Sequence, residues 1–294
     1  MRELNYTIDN NFDGKQVQQF LRYTGFSRSI ITSLKKPDRL LCNGSHVRTI
    51  DILKKGDIVT VRLEDNTDII PNSDLMVSVA YEDDDIIVFD KPPFMPVHPS
   101  LKHYNDTLAN FFTALHPETV FRSINRLDRN TSGLVLVAKN KLVAARLSGD
   151  VNYHPQKIYY AVVEGDISKK YGISGEIIAP IARISDSIIN REVREDGQFA
   201  HTMFKVLKCC NEMSLLEIRL ITGRTHQIRV HFSWDGFPLI GDDLYGGNTG
   251  LLNRQALHCG VIEFIHPVSN KKIHVSAPFP DDIAQLINKI NPAE

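Results

Sequence analysis

Residues 124–137 read INRLDRNTSGLVLV. A carboxylate, Asp128, stands between two guanidiniums, Arg126 and Arg129, and NTSG then leads into an apolar run. An ordinary surface ion pair does not need that order. In an extended segment Arg126 and Asp128 project to the same side, and nearby positive charge favours the ionised form of a carboxylate. That suits a nucleophile or a base and not a general acid. Thr131-Ser132-Gly133 is expected to reverse the chain, and LVLVAKN (134–140) to be a buried strand that anchors the loop. Taken alone, RLDR reads better as a structural aspartate paired with arginines at a turn, so the decision passes to the rest of the chain.

Outward from that stretch, short strand-like runs alternate irregularly with helical ones. Upstream, LMVSVAYEDDDIIVFDKPP (75–93) reads as two strands flanking an acidic turn at Asp83–Asp85, and TLANFFTALHP (107–117) carries Leu108, Phe111, Phe112 and Leu115 at helical spacing. Downstream, KLVAARLSGD (141–150) reads as a helix and KIYYAVVEG (157–165) as a strand. FKVLKCC (204–210) and LLEIRLITG (215–223) read as an antiparallel pair, with Leu216, Ile218 and Leu220 alternating. RTHQIRVHFSWDG (224–236) reads as a helix starting near Thr225 and closed by Gly236. DDIAQLINKI (281–290) has its apolar residues on one stripe. Strands in runs with interspersed helices predict an α+β fold and not a regular βαβ alternation.

The N-terminal part reads as a separate small α/β unit. Two short helices are expected to open it: one around Val17, Phe20 and Leu21, the other over SRSIITSLKK (27–36) with Ser27 as N-cap. LLCNGSHV (40–47) and DIVTVRL (57–63) follow, with turns at Asn43-Gly44 and Lys55-Gly56-Asp57. EDNTDIIPNSD (64–74) has linker composition. The expected organisation is a unit over 1–66, a linker over 67–74 and a larger region over 75–294.

The 294 residues suffice for two domains, and 42% hydrophobic content supports a packed core. No apolar run approaches the length of a bilayer span, and MRELNYTIDNNF lacks the pattern of a signal peptide. A cytoplasmic protein is expected. Cys42 and Cys259 stand alone, Cys209 and Cys210 are adjacent, and no CxxC pair exists, which fits reduced thiols. The net charge is −1, yet between Phe26 and Lys55 seven basic residues face only Asp38 and Asp51. That patch, with Arg28, Lys35, Lys36 and Arg39 at its centre, suits phosphates or is simply a solvated surface.

Dinucleotide and nucleoside-triphosphate fingerprints are absent, and GGNTG (246–250) lacks the lysine of a phosphate loop and reads as a flexible loop. His226 and His231 are five apart, the wrong spacing for zinc on one helix face, and no GxSxG occurs. No metal and no cofactor are expected. What remains is Asp, Arg, Tyr and His. ITGRTHQIRVH (221–231) offers backbone N–H groups at a helix start, with Arg224, Arg229 and the apolar Ile228 beside them. In KIYYAVVEG, alternation sends Lys157 and Tyr159 to one face and Tyr160 to the other. Tyr159 can stack on a base, or pack in a core. KPPFMPVHP (91–99), GFPLIGDDLYG (236–246), RQALHC (254–259) and FIHP (264–267) complete the set, and their histidines read as structural.

In this order, RLDRNTSG, K-x-Y, TGRTHQIR-x-H, G-x-P-x-x-GD-x-x-YG and RQALH resemble the ribosomal large-subunit pseudouridine synthase family, RluA/RluD type, from about Leu75 to the C-terminus. The N-terminal unit resembles, more weakly, the RNA-binding domain named for the fourth ribosomal small-subunit protein. The resemblance implies a mixed, largely antiparallel sheet with flanking helices and a central cleft. It implies an RNA uridine isomerase needing no metal or redox cofactor, with ribosomal RNA as partner. Apart from the resemblance, a monomer is the expected state. On matching positions it implies that Asp128 is the catalytic aspartate and that Arg126 enters the RNA helix when the target uridine flips out. It implies that Tyr159 stacks on the uracil, that Ile228 lines the base pocket, and that Arg229 pairs with the carboxylate. Arg129 and Arg224 are expected to bind substrate. Two positions depart from the family pattern: Asn125 where many members have histidine, and Phe94 where a glycine is usual. The alternatives are a synthase acting on transfer RNA, a catalytically idle RNA-binding protein, or a different carboxylate enzyme such as a glycosidase. The last needs a second carboxyl group, for which Asp242 and Asp243 are the nearest candidates.

Overall fold

Asn43 and Gly44 take φ values of 50° and 80°, the paired positive angles that let two strands reverse in a tight hairpin. The hairpin belongs to the first of three sheets in the computed structural model, which describes residues 2–36, 38–63, 69–185 and 189–290. In chain order this sheet and its helices are β1 (Arg2–Thr7), α1 (Val17–Tyr23), α2 (Arg28–Ser33), β2 (Leu40–Cys42), β3 (Ser45–His46) and β4 (Ile58–Leu63), with strand order β1-β4-β2-β3. Ser27 caps α2 by accepting the Ile30 N–H, as its position before the apolar run predicts. Val17, Leu21, Leu34, Leu40 and Val59 form the centre of a separate hydrophobic core.

The expectation that two helices open the chain is wrong. RELNYT is a strand, paired antiparallel with β4 from Arg2↔Leu63 to Thr7↔Ile58. Leu4 and Tyr6 do alternate with polar residues, but six residues at a terminus carry too little pattern to announce a partner more than fifty residues away. The expected boundary at residue 66 lies outside the described residues.

The larger region begins with β5 (Ser78–Glu82), β6 (Ile86–Lys91), α3 (Leu108–Leu115), β7 (Ser132–Ala138), α4 (Lys141–Gly149) and β8 (Gln156–Glu164). It continues through α5 (Ser168–Tyr171), β9 (Ser174–Ile178), β10 (Ile181–Arg183), β11 (Arg191–Val193), β12 (His201–Cys209) and β13 (Met213–Leu220). It ends with α6 (Gln227–Trp234), β14 (Leu257–Ile265), β15 (Lys272–Ser276) and α7 (Asp281–Asn288). Nine of these strands make one sheet in the order β5-β6-β7-β14-β8-β13-β12-β9, with β15 also on β14, while β10 and β11 form a separate hairpin. All its pairings are antiparallel except β7 with β14. This is the α+β, largely antiparallel architecture the sequence predicts. None of the described helices is long and apolar enough to cross a membrane.

β14 lies at the middle of the sheet, and sequence patterning did not find it. LHCGVIEFI is buried along nearly its whole length, so it lacks alternation, and Gly260 interrupts it. Gly133 explains how β7 and β14 come together. Its φ is 109°, and a Cβ there would lie 2.3 Å from the Cys259 carbonyl oxygen, so the parallel contact requires glycine.

The two cores are joined through α4. Leu142 is 2% exposed and packs into the N-terminal core, and Arg146 donates from Nη2 and Nε to the Thr24 carbonyl at 2.6 and 3.2 Å. Its Nη1 donates to the Pro267 carbonyl.

Candidate active site

The reversal after RLDR comes earlier than expected. Thr131 N–H donates to the Asp128 carbonyl at 3.0 Å, so the turn is Asp128–Thr131, and Ser132-Gly133 already belong to β7. Donors from separate elements hold it. Lys91, fully buried at the end of β6, donates from Nζ to the carbonyls of Pro92 (2.7 Å) and Arg129 (3.2 Å). Arg254 donates from Nη1 to the Asn130 carbonyl at 3.2 Å, and Gln255 from Nε2 to Thr131 Oγ1 at 3.0 Å. Arg254 is itself fixed by Asp282, at the start of α7, through bonds of 2.7 and 2.8 Å. The RQALH motif therefore clamps the turn that carries Asp128. Burial, reinforced by Arg254, pushes the Lys91 ammonium down to about 7, against the pull of Asp128.

Upstream of the turn, Asn125 ties the approaching segment to β7. Its Nδ2 donates to the Leu134 carbonyl (3.1 Å) and its Oδ1 accepts the Leu136 N–H (2.8 Å). Phe94, the other departure, keeps the backbone shape that suits glycine: its φ is 65°, and the residue is 42% exposed.

Asp128 is half-buried on the wall of a cleft of about 730 Å³ whose lining also includes Arg126, Tyr159, Arg224 and His226. Neither neighbouring guanidinium makes an ion pair with it. Arg126 is exposed on the cleft wall, and Arg129 is exposed, bonds Asn130 Oδ1 at 3.3 Å and is not part of the cleft lining. The partner comes from α6: Arg229 Nη1 lies 3.1 Å from Asp128 Oδ2. The other edge of that guanidinium forms two parallel bonds of 2.7 Å to the fully buried Asp242. Its central carbon, Cζ, sits 4.9 Å from the centre of the Tyr245 ring. Although burial opposes the charge, Asp242 and then Asp128 raise the Arg229 pKa further above its ordinary value.

α6 starts at Gln227 and not near Thr225, because His226 is left-handed, with φ 58°. Gln227 shapes this corner: its Oε1 accepts from Thr222 Oγ1 (2.8 Å) and Arg224 N–H (3.0 Å), and its Nε2 donates to the His201 carbonyl (3.0 Å). The helix closes as the sequence predicts, with Gly236 N–H on the Ser233 carbonyl and Phe237 N–H on the Phe232 carbonyl. His226 faces the carboxylate, with Nε2 3.7 Å from Asp128 Oδ2 and Nδ1 2.8 Å from the Tyr245 hydroxyl. That hydroxyl accepts the Arg191 N–H, leaving its own proton for Nδ1 and placing the imidazole N–H on Nε2, towards Asp128. Burial lowers the His226 pKa, opposed by Asp128.

Tyr159 is 7% exposed on the cleft wall, and burial, together with Cys259 and Asp128, holds its hydroxyl well above the usual phenol range. Ile228 is buried and lines a smaller recess beside Asp128 and Tyr159. Arg224 lines both spaces and donates from Nε to the Phe199 carbonyl at 3.0 Å. Arg28, Lys35 and Lys36 are exposed and Arg39 half-buried around α2, away from the cleft lining.

Asp242, His226 and Tyr245 were missed as site residues. GDDLYG gave no local signal for this role: the burial of Asp242, which calls for a cation to meet it, is visible only in the fold. The loop is not free: Gly241 N–H bonds the Asn248 carbonyl, Gly247 N–H bonds the Asp242 carbonyl, and a Cβ on Gly247 would lie 1.9 Å from the Leu239 oxygen. With its carboxylate engaged by Arg229, Asp242 does not serve as the second carboxyl of a glycosidase pair.

The family description "RNA pseudouridylate synthase" matches residues 85–234. An uncharacterized RNA pseudouridine synthase of Bacillus subtilis (strain 168), YjbO, is 37% identical over 94% of this chain and 99% of its own length. Ribosomal large subunit pseudouridine synthase D of Xanthomonas campestris pv. campestris is 35% identical over 90% of this chain and 85% of its own. Among solved structures, human RNA pseudouridylate synthase domain containing 1 superposes with a TM-score of 0.58 at 25% identity, covering 76% of this chain and 99% of that one. The chain belongs to the RNA pseudouridylate synthase family and is an RNA pseudouridine synthase, an isomerase.

Proposed function

We propose that this enzyme converts specific uridines of large-subunit ribosomal RNA to pseudouridine in the cytoplasm, with Asp128 as the group that acts on the ribose. The observation that carries the reading is the half-buried Asp128 carboxylate on the wall of an open cleft, held from behind by an arginine that a second, fully buried carboxylate fixes in place. The ribosomal substrate rests on relatives named for it.

The reaction breaks the bond between uracil N1 and the anomeric carbon, turns the base and joins carbon 5 to that carbon; carbon 5 loses its proton and N1 gains one, so the proton count is unchanged. Substrate and product are isomers, so no electrons and no water are consumed. The target nucleotide must first leave its stack, at a cost of about a few kcal/mol, and the planar Arg126 guanidinium at the cleft wall suits the space it leaves. The uracil then lies against Tyr159, with Ile228 at its edge. Asp128 acts on the sugar as a nucleophile at the anomeric carbon or as a base at the 2′ carbon. Arg229 keeps it oriented, and a cleft filled by the nucleotide excludes the water that would hydrolyse an intermediate. The N-terminal unit, residues 1–66 with a linker over 67–74, serves as an RNA-binding module through Arg28, Lys35, Lys36 and Arg39.

The test maps pseudouridines in total RNA from cells with and without this protein, then complements with Asp128→Asn. The expected outcome is loss of one or a few ribosomal sites, restored by wild type and not by the variant. RNA affinity of the variant stays within about tenfold, since most affinity comes from phosphate contacts. Unchanged turnover in Asp128→Asn removes the role given to that carboxylate, and loss of sites only in transfer RNA moves the substrate.

A further inference from the structure

The cleft holds a cation that the proposed chemistry leaves unused. Lys157 is on β8, two residues before Tyr159 and on the same face of the strand, and both line the cleft. Its side chain is half-buried. Among the described residues Lys157 Nζ makes no ion pair and no hydrogen bond, and no carboxylate contributes to its electrostatics. The titratable groups whose charges couple to Lys157 are His154 and the buried Cys259 thiol. Among the described lining residues the single carboxylate is Asp128, already engaged by Arg229.

A half-buried ammonium with no acceptor is costly unless a ligand supplies one. Residues two apart on a strand are separated by about 7 Å, far enough that one ligand ring on Tyr159 leaves Lys157 free for a different group of the same ligand. The cleft volume also falls within the range of about 300–1,000 Å³ that encloses a molecule much larger than one pyrimidine ring. From these observations we infer that Lys157 forms an anion subsite for the backbone phosphate next to the nucleotide stacked on Tyr159. Lys157 therefore fixes which nucleotide of the strand reaches Asp128. Burial lowers the Lys157 pKa, and a phosphate placed there acts in the opposite direction.

The subsite rests on the proposed base position at Tyr159, so its test is chosen to be read without isomerisation. A single-stranded dodecamer of uridylate is titrated against the full-length Asp128→Asn protein and against the same protein carrying Lys157→Met, over a range of salt concentrations. The expected result is a loss of affinity of about tenfold at low salt and a log K against log salt slope shallower by about 0.7, the value of one phosphate contact on a single strand. Lys157→Arg keeps the slope. An unchanged slope in Lys157→Met overturns the subsite. So does an affinity loss without a slope change, because the lysine would then act through packing or through the base. Thermal unfolding of each variant identifies one that has lost its fold, and Lys157→Gln then carries the same test. A wild-type protein that makes no pseudouridine but shows the slope change loses the proposed reaction and keeps the phosphate site. Intact isomerisation with no slope change loses the phosphate site alone.

Discussion

Arg229 and Asp242 are joined by two parallel hydrogen bonds of 2.7 Å at a fully buried carboxylate, while the free edge of the same guanidinium reaches Asp128 at 3.1 Å. The geometry divides the work between two acids. Asp242 fixes the arginine, and the arginine fixes the acid that faces the cleft.

Asp242→Asn keeps the size of the side chain and removes the charge. Breaking a buried pair from one side costs about 3–5 kcal/mol, measurable by denaturant unfolding. The freed guanidinium shifts relative to Asp128, and a misplacement of about 1 Å at a reacting group costs about a hundredfold in rate. The expected outcome is turnover reduced by about ten- to a hundredfold, with RNA affinity within about threefold because no phosphate contact is lost. Wild-type turnover in a folded Asp242→Asn protein refutes the positioning role.

Asn125 holds the approach to the active-site turn by bonding one carbonyl and one N–H of β7, both in the core. Asn125→Ala leaves two buried backbone groups unsatisfied, at about 1–3 kcal/mol each. Equilibrium unfolding is expected to show a loss of about 2–4 kcal/mol, and turnover falls with it because Asp128 follows three residues later. A loss below about 0.5 kcal/mol, the level of an ordinary surface substitution, contradicts the structural reading.

His258 supplies a pH dependence. It is fully buried on β14, with Nδ1 3.0 Å from Ser132 Oγ, and burial pushes its imidazole down to about 4. In the unfolded chain the same group titrates near its ordinary value of about 6.5. Between those values the unfolded chain binds a proton that the folded one does not, so stability falls as the pH drops from 6.5 towards 4. At about 1.4 kcal/mol per unit the full effect is about 3 kcal/mol. Unfolding free energies measured from pH 7 to 4.5 are expected to fall for wild type and to fall less steeply for His258→Asn. Equal slopes remove His258 as the source.

The parts legible in the sequence are those whose cause is local. Ser27 as a cap, Asn43-Gly44 as a hairpin and Gly236 as a helix stop each follow from the residues beside them. Asp128 and Arg229 were expected to meet because the family resemblance implied it, and they lie 3.1 Å apart. The guanidiniums adjacent in sequence drew attention to Asp128 but do not pair with it, since side-chain direction depends on the Asp128–Thr131 turn. Asp242 stayed hidden because its meaning depends on an arginine thirteen residues away, brought close by α6 and the loop after it. β1 and β14 were missed for opposite reasons: β1 is too short to show its alternation, and β14 is too buried to have one.

Arg146 gives the last prediction. Its guanidinium joins Thr24 of the N-terminal unit to α4 and to Pro267, and one turn earlier Leu142 packs into the N-terminal core. On the proposal that the N-terminal unit is an RNA-binding module, these contacts hold its basic residues in a fixed position relative to the cleft. Two tethered sites bind one RNA tightly only while their geometry lets both engage, and losing that match lowers apparent affinity without touching either site. Arg146→Ala is therefore expected to raise the KM for a folded ribosomal RNA fragment by about three- to tenfold. It leaves kcat and the affinity for a short single-stranded oligonucleotide, which fits one site alone, near wild type. Small-angle scattering checks the cause, with a larger radius of gyration expected for the variant. A KM that rises equally for the short oligonucleotide shows that the arginine supports the cleft itself and not the placement of the module.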